Sequence, residues 1–140
     1  MHVNSYEEWL ETVPTIITKG PVWRFWGYRK ALFLYDLTWA DCDKLRTDPK
    51  GKPVMNQLIR SAGSISANME EGYGRNLKNG QEYAYFLRVA LGSARETQGW
   101  YWRGRQLLPK SVITHRLALL DEIISLTINQ IKRYGRKDRG

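Results

Sequence analysis

The chain has little of what a metal site or a disulfide framework requires. It contains one cysteine, Cys42, and two histidines, His2 and His115, in 140 residues. A single cysteine cannot form an internal disulfide, and these side chains do not occur at the spacing of zinc ligands. We therefore expect no cofactor and no metal, and a fold that does not depend on an oxidising compartment.

Long apolar runs are also missing. No stretch approaches the ~20 apolar residues that span a bilayer, and the N-terminus lacks a basic segment followed by an apolar one. The sequence therefore predicts neither export nor membrane insertion, and it favours a cytoplasmic protein.

Acidic side chains are the minority among the charged ones. The chain has 14 Asp and Glu against 22 Lys and Arg, a formal net charge of +8. Such an excess suits a polyanionic partner such as nucleic acid. It also suits solubility alone, because small domains often carry a net charge of magnitude ~2 to 8, and charge leaves both interpretations open.

Six Trp and eight Tyr are many for a small core, so we expect some on a partner surface.

Turn-forming residues divide the chain into a leader, residues 1–21, a body, residues 22–134, and a basic tail, residues 135–140. The breaks fall at residues 20–21, 48–53, 76–80 and 108–110, where Gly, Pro and Asn concentrate. Ser5 is predicted to cap a short helix within the leader. Because each break is short, neighbouring segments of the body should run antiparallel.

Apolar residues recur at helical spacing in all four body segments, residues 22–46, 54–73, 81–107 and the segment after Pro109. The last is the most regular, with Ser111 as its predicted cap, Gly135 as its predicted end, and a stripe at Ile113, Leu117, Leu120, Ile124, Thr127 and Ile131. Gly92 interrupts the third segment, and close approach of a neighbouring helix would explain it. The prediction is an all-α, up-down-up-down antiparallel four-helix bundle with a short N-terminal helical leader.

Residue patterns for catalysis are weak. Glu70 and Glu71 are adjacent, and neighbours on a helix point about 100° apart, so the two carboxylates do not share one site. Residues 72–75, Gly-Tyr-Gly-Arg, resemble a phosphate-binding turn only loosely, because no strand precedes them and helix termination explains the glycines better. His115 fits a surface position. We therefore predict that the protein is not an enzyme.

Basic residues alternate with aromatic ones near the end of the third helix, at Arg95, Trp100, Tyr101, Trp102, Arg103 and Arg105. Arginine pairs with phosphate, and aromatic rings stack on unpaired bases. Alternatively, Tyr101 belongs to the core, and Trp100 with Trp102 contacts another subunit.

Two further basic groups occur at the start of the first body helix and the end of the fourth: Arg24, Arg29 and Lys30, and Lys132, Arg133, Arg136, Lys137 and Arg139. In an up-down-up-down bundle these two ends lie close together, so their charges would form one patch. Each group alone could equally be a solvated face.

Residues 57–75, QLIRSAGSISANMEEGYGR, resemble the signature of the 23S ribosomal RNA intervening-sequence protein family. Further matches follow in register at Glu82, Phe86, Leu87, Ala90, Gly92, Ser93 and Glu96. The second and third body helices therefore carry the resemblance, whereas the first and fourth agree only in length and character.

The resemblance implies an up-and-down bundle, ring-like oligomers that are often pentamers, and a role in nucleic-acid binding. Similar proteins are accessory factors of diversity-generating retroelements, in which a basic pentamer binds a reverse transcriptase and its RNA. It also implies a polar network, within or between subunits, that serves structure and assembly: Ser64, Asn68, Glu71 and Arg75 facing Glu82, Ser93 and Glu96. We assign Gly72, Gly92, Trp100 and Trp102 to structure and assembly as well, the two tryptophans as a subunit contact.

Two functional hypotheses follow. In the first, a homo-oligomer, expected to be a pentamer, binds RNA or DNA with little base specificity, and the resemblance adds the role of accessory factor to a reverse transcriptase. The expected contact residues are Arg24, Arg29, Lys30, Arg75, Lys78, Arg95, Arg103, Arg105, Lys132, Arg133, Arg136, Lys137 and Arg139. In the second, the chain is a protein–protein interaction module whose Trp and Tyr side chains grip a protein while the charge aids solubility.

Overall fold

The computed structural model describes residues 5–74 and 80–137, with the backbone alone at Arg136 and Lys137. The leader contains α1 (Tyr6–Leu10), α2 (Thr15–Thr18) and a 3-10 helix (Pro21–Arg24). Ser5 caps α1 as predicted, since its hydroxyl oxygen accepts the backbone N–H of Glu8 at 3.2 Å.

Four long helices form the body of the molecule: α3 (Trp26–Leu45), α4 (Gly51–Gly74), α5 (Gly80–Arg103) and α6 (Lys110–Lys137). Helix α3 packs on α4, α4 on α5, α5 on α6, and α6 back on α3, so the four enclose one core. The described residues form helices and no strand. The predicted all-α four-helix bundle is therefore confirmed.

Helical spacing of apolar residues explains the core. The predicted stripe of α6 is buried or half-buried along its length, from Ile113 to Ile131. Leu34 of α3, Ile65 of α4 and Leu87 of α5 have no exposed surface. Burying one such side chain stabilises a fold by roughly 1.5–3 kcal/mol, so these stripes fix which face of each helix points inward.

Helix boundaries differ from the predictions at several points. The first body helix starts at Trp26, four residues late, because Phe25 is extended (φ −80°, ψ 113°) and separates it from the 3-10 turn. Helix α4 starts at Gly51 and contains Pro53 in its first turn, where a missing N–H breaks no helical hydrogen bond. Helix α5 ends at Arg103, four residues early.

The last helix also departs from its predicted limits. It starts at Lys110, so Ser111 lies inside the first turn and is not the cap. It continues through Gly135 to Lys137, so Gly135 does not end it and the predicted tail begins as helix.

Aromatic packing fixes the leader to the bundle. Trp9 of α1 is 3% exposed, and its Nε1–H donates to the Asp36 carboxylate of α3 at 2.7 Å. Its ring lies 5.4 Å from that of Phe33 and stacks at 6.2 Å on Trp23, centroid to centroid. The leader is therefore an ordered layer on α3.

Two glycines of the family-like segment behave differently. A Cβ atom placed on Gly72 would lie 2.5 Å from Cβ of Phe86, so α4 and α5 approach closely there. A Cβ atom on Gly92 would meet nothing within 4 Å. The prediction that close helix packing requires Gly92 is therefore wrong, because this glycine faces outward.

Candidate nucleic-acid interface

Seven exposed cationic side chains gather where α3 passes into α4 and α5 into α6. We call this set the basic end: Lys44, Arg46, Lys50, Lys52, Arg103, Arg105 and Lys110. The two connections touch, since a Cβ atom on Gly104 would lie 3.2 Å from Val54 and 3.8 Å from Leu45, and one on Gly51 would lie 2.9 Å from Leu107. Packing of the bundle thus joins charges that are 50 or more residues apart in sequence.

Few acidic groups oppose these charges. Asp43 pairs with Arg46 at 3.6 Å, and both side chains are largely exposed. Asp48 instead caps the turn into α4, where its Oδ1 accepts the backbone N–H groups of Lys50 at 2.7 Å and Gly51 at 3.2 Å. Since residues 43–52 and 103–110 contain no other acidic side chain, the basic end carries a clear positive surplus.

Tryptophan rings position two of the seven cations. The Arg105 guanidinium lies 4.1 Å from the ring centroid of Trp102, and its Nη1 donates to the Trp102 carbonyl at 2.9 Å. Arg103 lies 4.6 Å from the ring of Trp100. Stacking of this kind restricts a guanidinium and leaves its N–H edge available to phosphate.

A groove of about 500 Å³ opens at the other end of the bundle. We call it the tryptophan groove, and it is lined by Pro21, Arg24, Phe25, Trp26, Tyr73, Tyr83, Leu126, Asn129, Gln130, Arg133 and Tyr134. It brings the start of α3 and the end of α6 together, as the sequence predicted for Arg24 and Arg133. Among the described residues that line it, none is acidic.

Tyr83 forms the floor of this groove and has no exposed surface. Its ring packs edge-on against Tyr73 and Tyr134, with centroids 5.7 and 4.7 Å away, and its hydroxyl accepts from Nε2 of Gln130 at 3.3 Å. Burial raises the pKa of Tyr83 to about 12. The floor is therefore a neutral aromatic surface at ordinary pH.

Trp26 forms one wall and is 48% exposed. The Arg29 guanidinium lies 4.2 Å from its ring centroid and 5.1 Å from that of Trp23, and Nε of Arg29 donates to the Trp23 carbonyl at 2.5 Å. The sequence placed Arg29 among residues that contact nucleic acid, but the structure uses it to hold the Trp26 ring.

Other predicted contact residues are dispersed. Lys30 pairs with Glu122 at 3.4 Å and lies 4.5 Å from the ring of Tyr6, so it is engaged within the fold. Lys132 is exposed beside Arg133, and Arg95 is exposed on α5 two turns before Arg103. Arg136 and Lys137 belong to the last turn of α6, without described side chains, while Arg75, Lys78 and Arg139 lie outside the described residues.

Of the polar residues nominated for assembly, Ser64 and Ser93 connect α4 and α5 within the subunit. Ser93 donates to Ser64 at 2.9 Å, and Thr97 donates to Ser61 at the same distance. Asn68 donates to the backbone and hydroxyl oxygens of Ser64, one turn earlier in its own helix. Glu71 and Glu82 are exposed.

Glu96, also nominated for assembly, binds two groups of its own subunit. It forms a salt bridge with Arg60 of α4, which the sequence did not single out, and accepts Nε1–H of Trp100 at 2.9 Å. Trp100 is half-buried, whereas Trp102 is 54% exposed. Of the two tryptophans, Trp102 offers the larger outward surface.

Sequence inspection missed a buried polar network near the basic end. Asp41 of α3, 6% exposed, accepts from Arg116 of α6 at 2.8 and 3.0 Å and from the Tyr101 hydroxyl of α5 at 2.7 Å. Thr38 shares a 2.8 Å hydrogen bond with Tyr101. Burial raises the pKa of Tyr101, which therefore stays protonated and donates.

An apolar groove of about 230 Å³ lies on the side of the bundle between α3 and α4. We call it the side groove, and it is lined by Trp39, Cys42, Asp43, Arg46, Met55 and Ile59. Trp39 is 65% exposed, so a large ring stands unprotected beside apolar neighbours. Tryptophan is enriched at protein interfaces relative to the rest of the surface.

Metal-binding clusters and membrane-spanning helices are absent from the described part of the chain. No group of three or more His, Cys, Asp or Glu side chains in residues 5–74 and 80–135 is arranged to hold a metal ion. Within the same described segments, no helix combines the length and the apolar character needed to cross a membrane. His115 is exposed, but partial desolvation of its ring, followed by the charge of Arg116, lowers its pKa.

A model of the 23S rRNA-intervening sequence protein family matches residues 28–129, well over half of the chain. The protein belongs to this family. A crystal structure of a protein of unknown function from the S23 ribosomal protein family of Bacteroides thetaiotaomicron superposes with a TM-score of 0.69, at 23% identity, over 76% of this chain and 98% of that one. It shares the fold. Comparison with curated proteins gives no match.

The family match divides the candidate surfaces. The basic end lies wholly inside residues 28–129 of the 23S rRNA-intervening sequence protein region. The tryptophan groove does not, because Arg24 and Trp26 precede that region while Arg133 and Tyr134 follow it. Segments on both sides of the family core therefore combine to build the groove.

Proposed function

We propose that this protein is a non-catalytic, homo-oligomeric helical bundle that binds the phosphate backbone of RNA or DNA. The observation that carries the proposal is the basic end, where seven exposed cations face two acidic side chains. Both acidic groups already have partners within the turn, which leaves the surplus charge for a polyanion. The family is named for an intervening sequence of 23S rRNA, itself a polyanion.

Backbone contacts predict a steep salt dependence and little sequence preference. Each phosphate neutralised by Lys or Arg adds ~0.7 to the slope of log affinity against log salt for single strands, and ~0.9 for duplex DNA. Lys50 and Lys52 suit a test because both are exposed and lie on either side of Gly51. Lys50→Gln/Lys52→Gln should therefore flatten the slope for a single strand by about 1.4.

The experiment is fluorescence anisotropy of a labelled oligonucleotide at several salt concentrations. Lys19→Gln/Arg88→Gln is the matched control, because it removes the same charge from exposed residues outside the basic end. We expect the control to keep the wild-type slope. Equal flattening by both pairs would show that net charge, and not this surface, governs binding, and absence of binding at low salt would overturn the proposal.

Assembly is the second part of the proposal, and the side groove supports it. Trp39, at 65% exposed, lies beside Met55 and Ile59, and burial of such a ring typically contributes strongly to an interface. A pentamer of 16.4 kDa protomers is expected from the family resemblance. Light scattering should give the mass of a pentamer for the wild type and a lower mass for Trp39→Asp. Tyr85→Asp, which changes another exposed aromatic residue, is the control and should keep the wild-type mass.

The side groove also favours the alternative function, a protein–protein interaction module. The resemblance implies a reverse transcriptase as the partner, and we assign its contact to the exposed Trp39 of this groove. Two results together would favour the alternative over the leading proposal. The wild type would form a complex with such an enzyme that is lost in Trp39→Asp, and it would show no nucleic-acid affinity at any salt concentration.

A further inference from the structure

We infer that the tryptophan groove is a binding site for an unpaired nucleotide of a single strand, with the base stacked on Trp26 and phosphates held by Arg24 and Arg133. This inference rests on the proposed function and specifies its ligand. The groove lies at the end of the bundle opposite the basic end, and seven of its eleven lining residues lie outside the family match.

The size and lining of the groove fit such a ligand. Its volume of about 500 Å³ lies within the ≈ 300–1,000 Å³ range of small-molecule sites. Aromatic rings form its floor and walls, and Asn129 and Gln130 add amide groups that can hydrogen-bond to a base edge. No carboxylate occurs among the described lining residues, so phosphate would meet no repulsion from the lining itself.

Trp26 is prepared to stack. Arg29 lies against its ring at 4.2 Å, and Tyr6 packs at a tilt with the ring centroids 5.9 Å apart. The indole nevertheless remains 48% exposed. Because Arg29 is itself fixed by the Trp23 carbonyl, the ring is held in place before any ligand arrives, which lowers the entropy cost of stacking.

The two arginines complete the site. Arg24 and Arg133 are both exposed and both line the groove, although 109 positions separate them in sequence. Arg133 contacts the ring of Tyr134 only distantly, at 5.9 Å. Cations beside open aromatic surface, without a groove-reading helix, match the chemistry of single-strand binding.

A duplex of equal charge should not use this site, because its bases are stacked inside the helix. Trp26→Ala should therefore weaken binding of a short single strand roughly 5- to 150-fold, the range for loss of one base–aromatic stack, and leave duplex binding unchanged. Trp26→Phe, which keeps a flat ring, should restore most of the affinity. Tyr85→Ala removes an exposed aromatic outside the groove and should have no effect.

Since Trp26 also packs on the leader, a second variant avoids its structural role. Arg24→Gln/Arg133→Gln alters two exposed side chains and should lower the single-strand salt slope by about 1.4. The probes are a labelled single-stranded oligonucleotide and a shorter labelled duplex of equal total charge, measured by anisotropy, with circular dichroism as a check of folding.

Selective loss of single-strand affinity in both groove variants supports the inference. Equal loss for single strand and duplex overturns it, because stacking would then play no part. Unchanged affinity in both groove variants, with loss in Lys50→Gln/Lys52→Gln, also overturns it and leaves the proposed function standing. No binding by the wild-type protein at low salt overturns both.

Discussion

Removing the buried carboxylate of Asp41 should lower the free energy of unfolding more than removing any exposed charged group of the bundle. The side chains of Asp41 and Arg116 are 7% and 12% exposed, and Asp41 accepts three hydrogen bonds, two from Arg116 and one from Tyr101. Asp41→Asn keeps the shape but leaves a largely buried guanidinium without its counter-charge. Breaking a buried pair in this way costs about 3–5 kcal/mol.

Urea unfolding followed by circular dichroism measures this loss. With a slope of about 2 kcal/mol per molar urea, typical of small domains, a 4 kcal/mol loss lowers the midpoint by about 2 M. All variants are compared at one protein concentration, because association raises apparent stability.

Asp43→Asn is the matched control. Asp43 is two residues away and pairs with Arg46 at 3.6 Å, but its side chain is 74% exposed, so the pair is solvent-screened. We expect the control to change the midpoint little. If Asp41→Asn cost no more than Asp43→Asn, the network would not hold α3, α5 and α6 together as described.

Three further predictions test local packing and ionisation. Gly72→Ala should destabilise the protein by about 1–3 kcal/mol, because the new methyl group would overlap Phe86. Gly92→Ala should stabilise it by up to about 1 kcal/mol, because that position is open and helical. Urea unfolding curves of the two variants measure the difference, and equal effects would contradict the described packing. Burial, with Asp41 nearby, raises the pKa of the Cys42 thiol to about 11. Alkylation of Cys42 by iodoacetamide at about pH 8 should therefore be roughly 100-fold slower in the folded protein than in the unfolded chain. Similar alkylation rates in the two states would contradict the raised pKa. The pKa of Tyr83 is about 12 in the folded protein and about 10 in the unfolded chain. The stabilisation from its neutral form is therefore fully present below pH 10, and roughly 3 kcal/mol of it is lost as the pH rises toward 12. Unfolding curves that do not shift over this pH range would contradict this prediction.

Local patterns were enough to predict the fold. The spacing of Ile113, Leu120 and Ile124 shows a helical face, and the Gly- and Pro-rich breaks limit how four such faces can be connected. Boundaries were less predictable, because they depend on single backbone states such as the extended Phe25 and on the tolerance of a first turn for Pro53. Gly135 shows the same limit, since its helix continues past it.

Contacts between distant residues could not be read from spacing. Asp41 and Arg116 are 75 positions apart, and Thr38, whose hydroxyl joins their network, is 63 positions from Tyr101. Arg103 and Arg105 of the basic end were predicted as contacts, but the cluster as a whole was missed because Lys50 and Lys52 resemble an ordinary solvated turn. The predicted topology already placed that turn beside the α5–α6 connection, so this was the one signal that could have revealed the cluster.

The most direct test of the account is the molar mass of the purified protein by light scattering, alone and with a short single-stranded RNA at low salt. We expect a mass near five protomers that increases with RNA and returns to its starting value when salt is raised. A monomer whose mass does not respond to RNA would contradict both the assembly and the nucleic-acid binding proposed for this bundle.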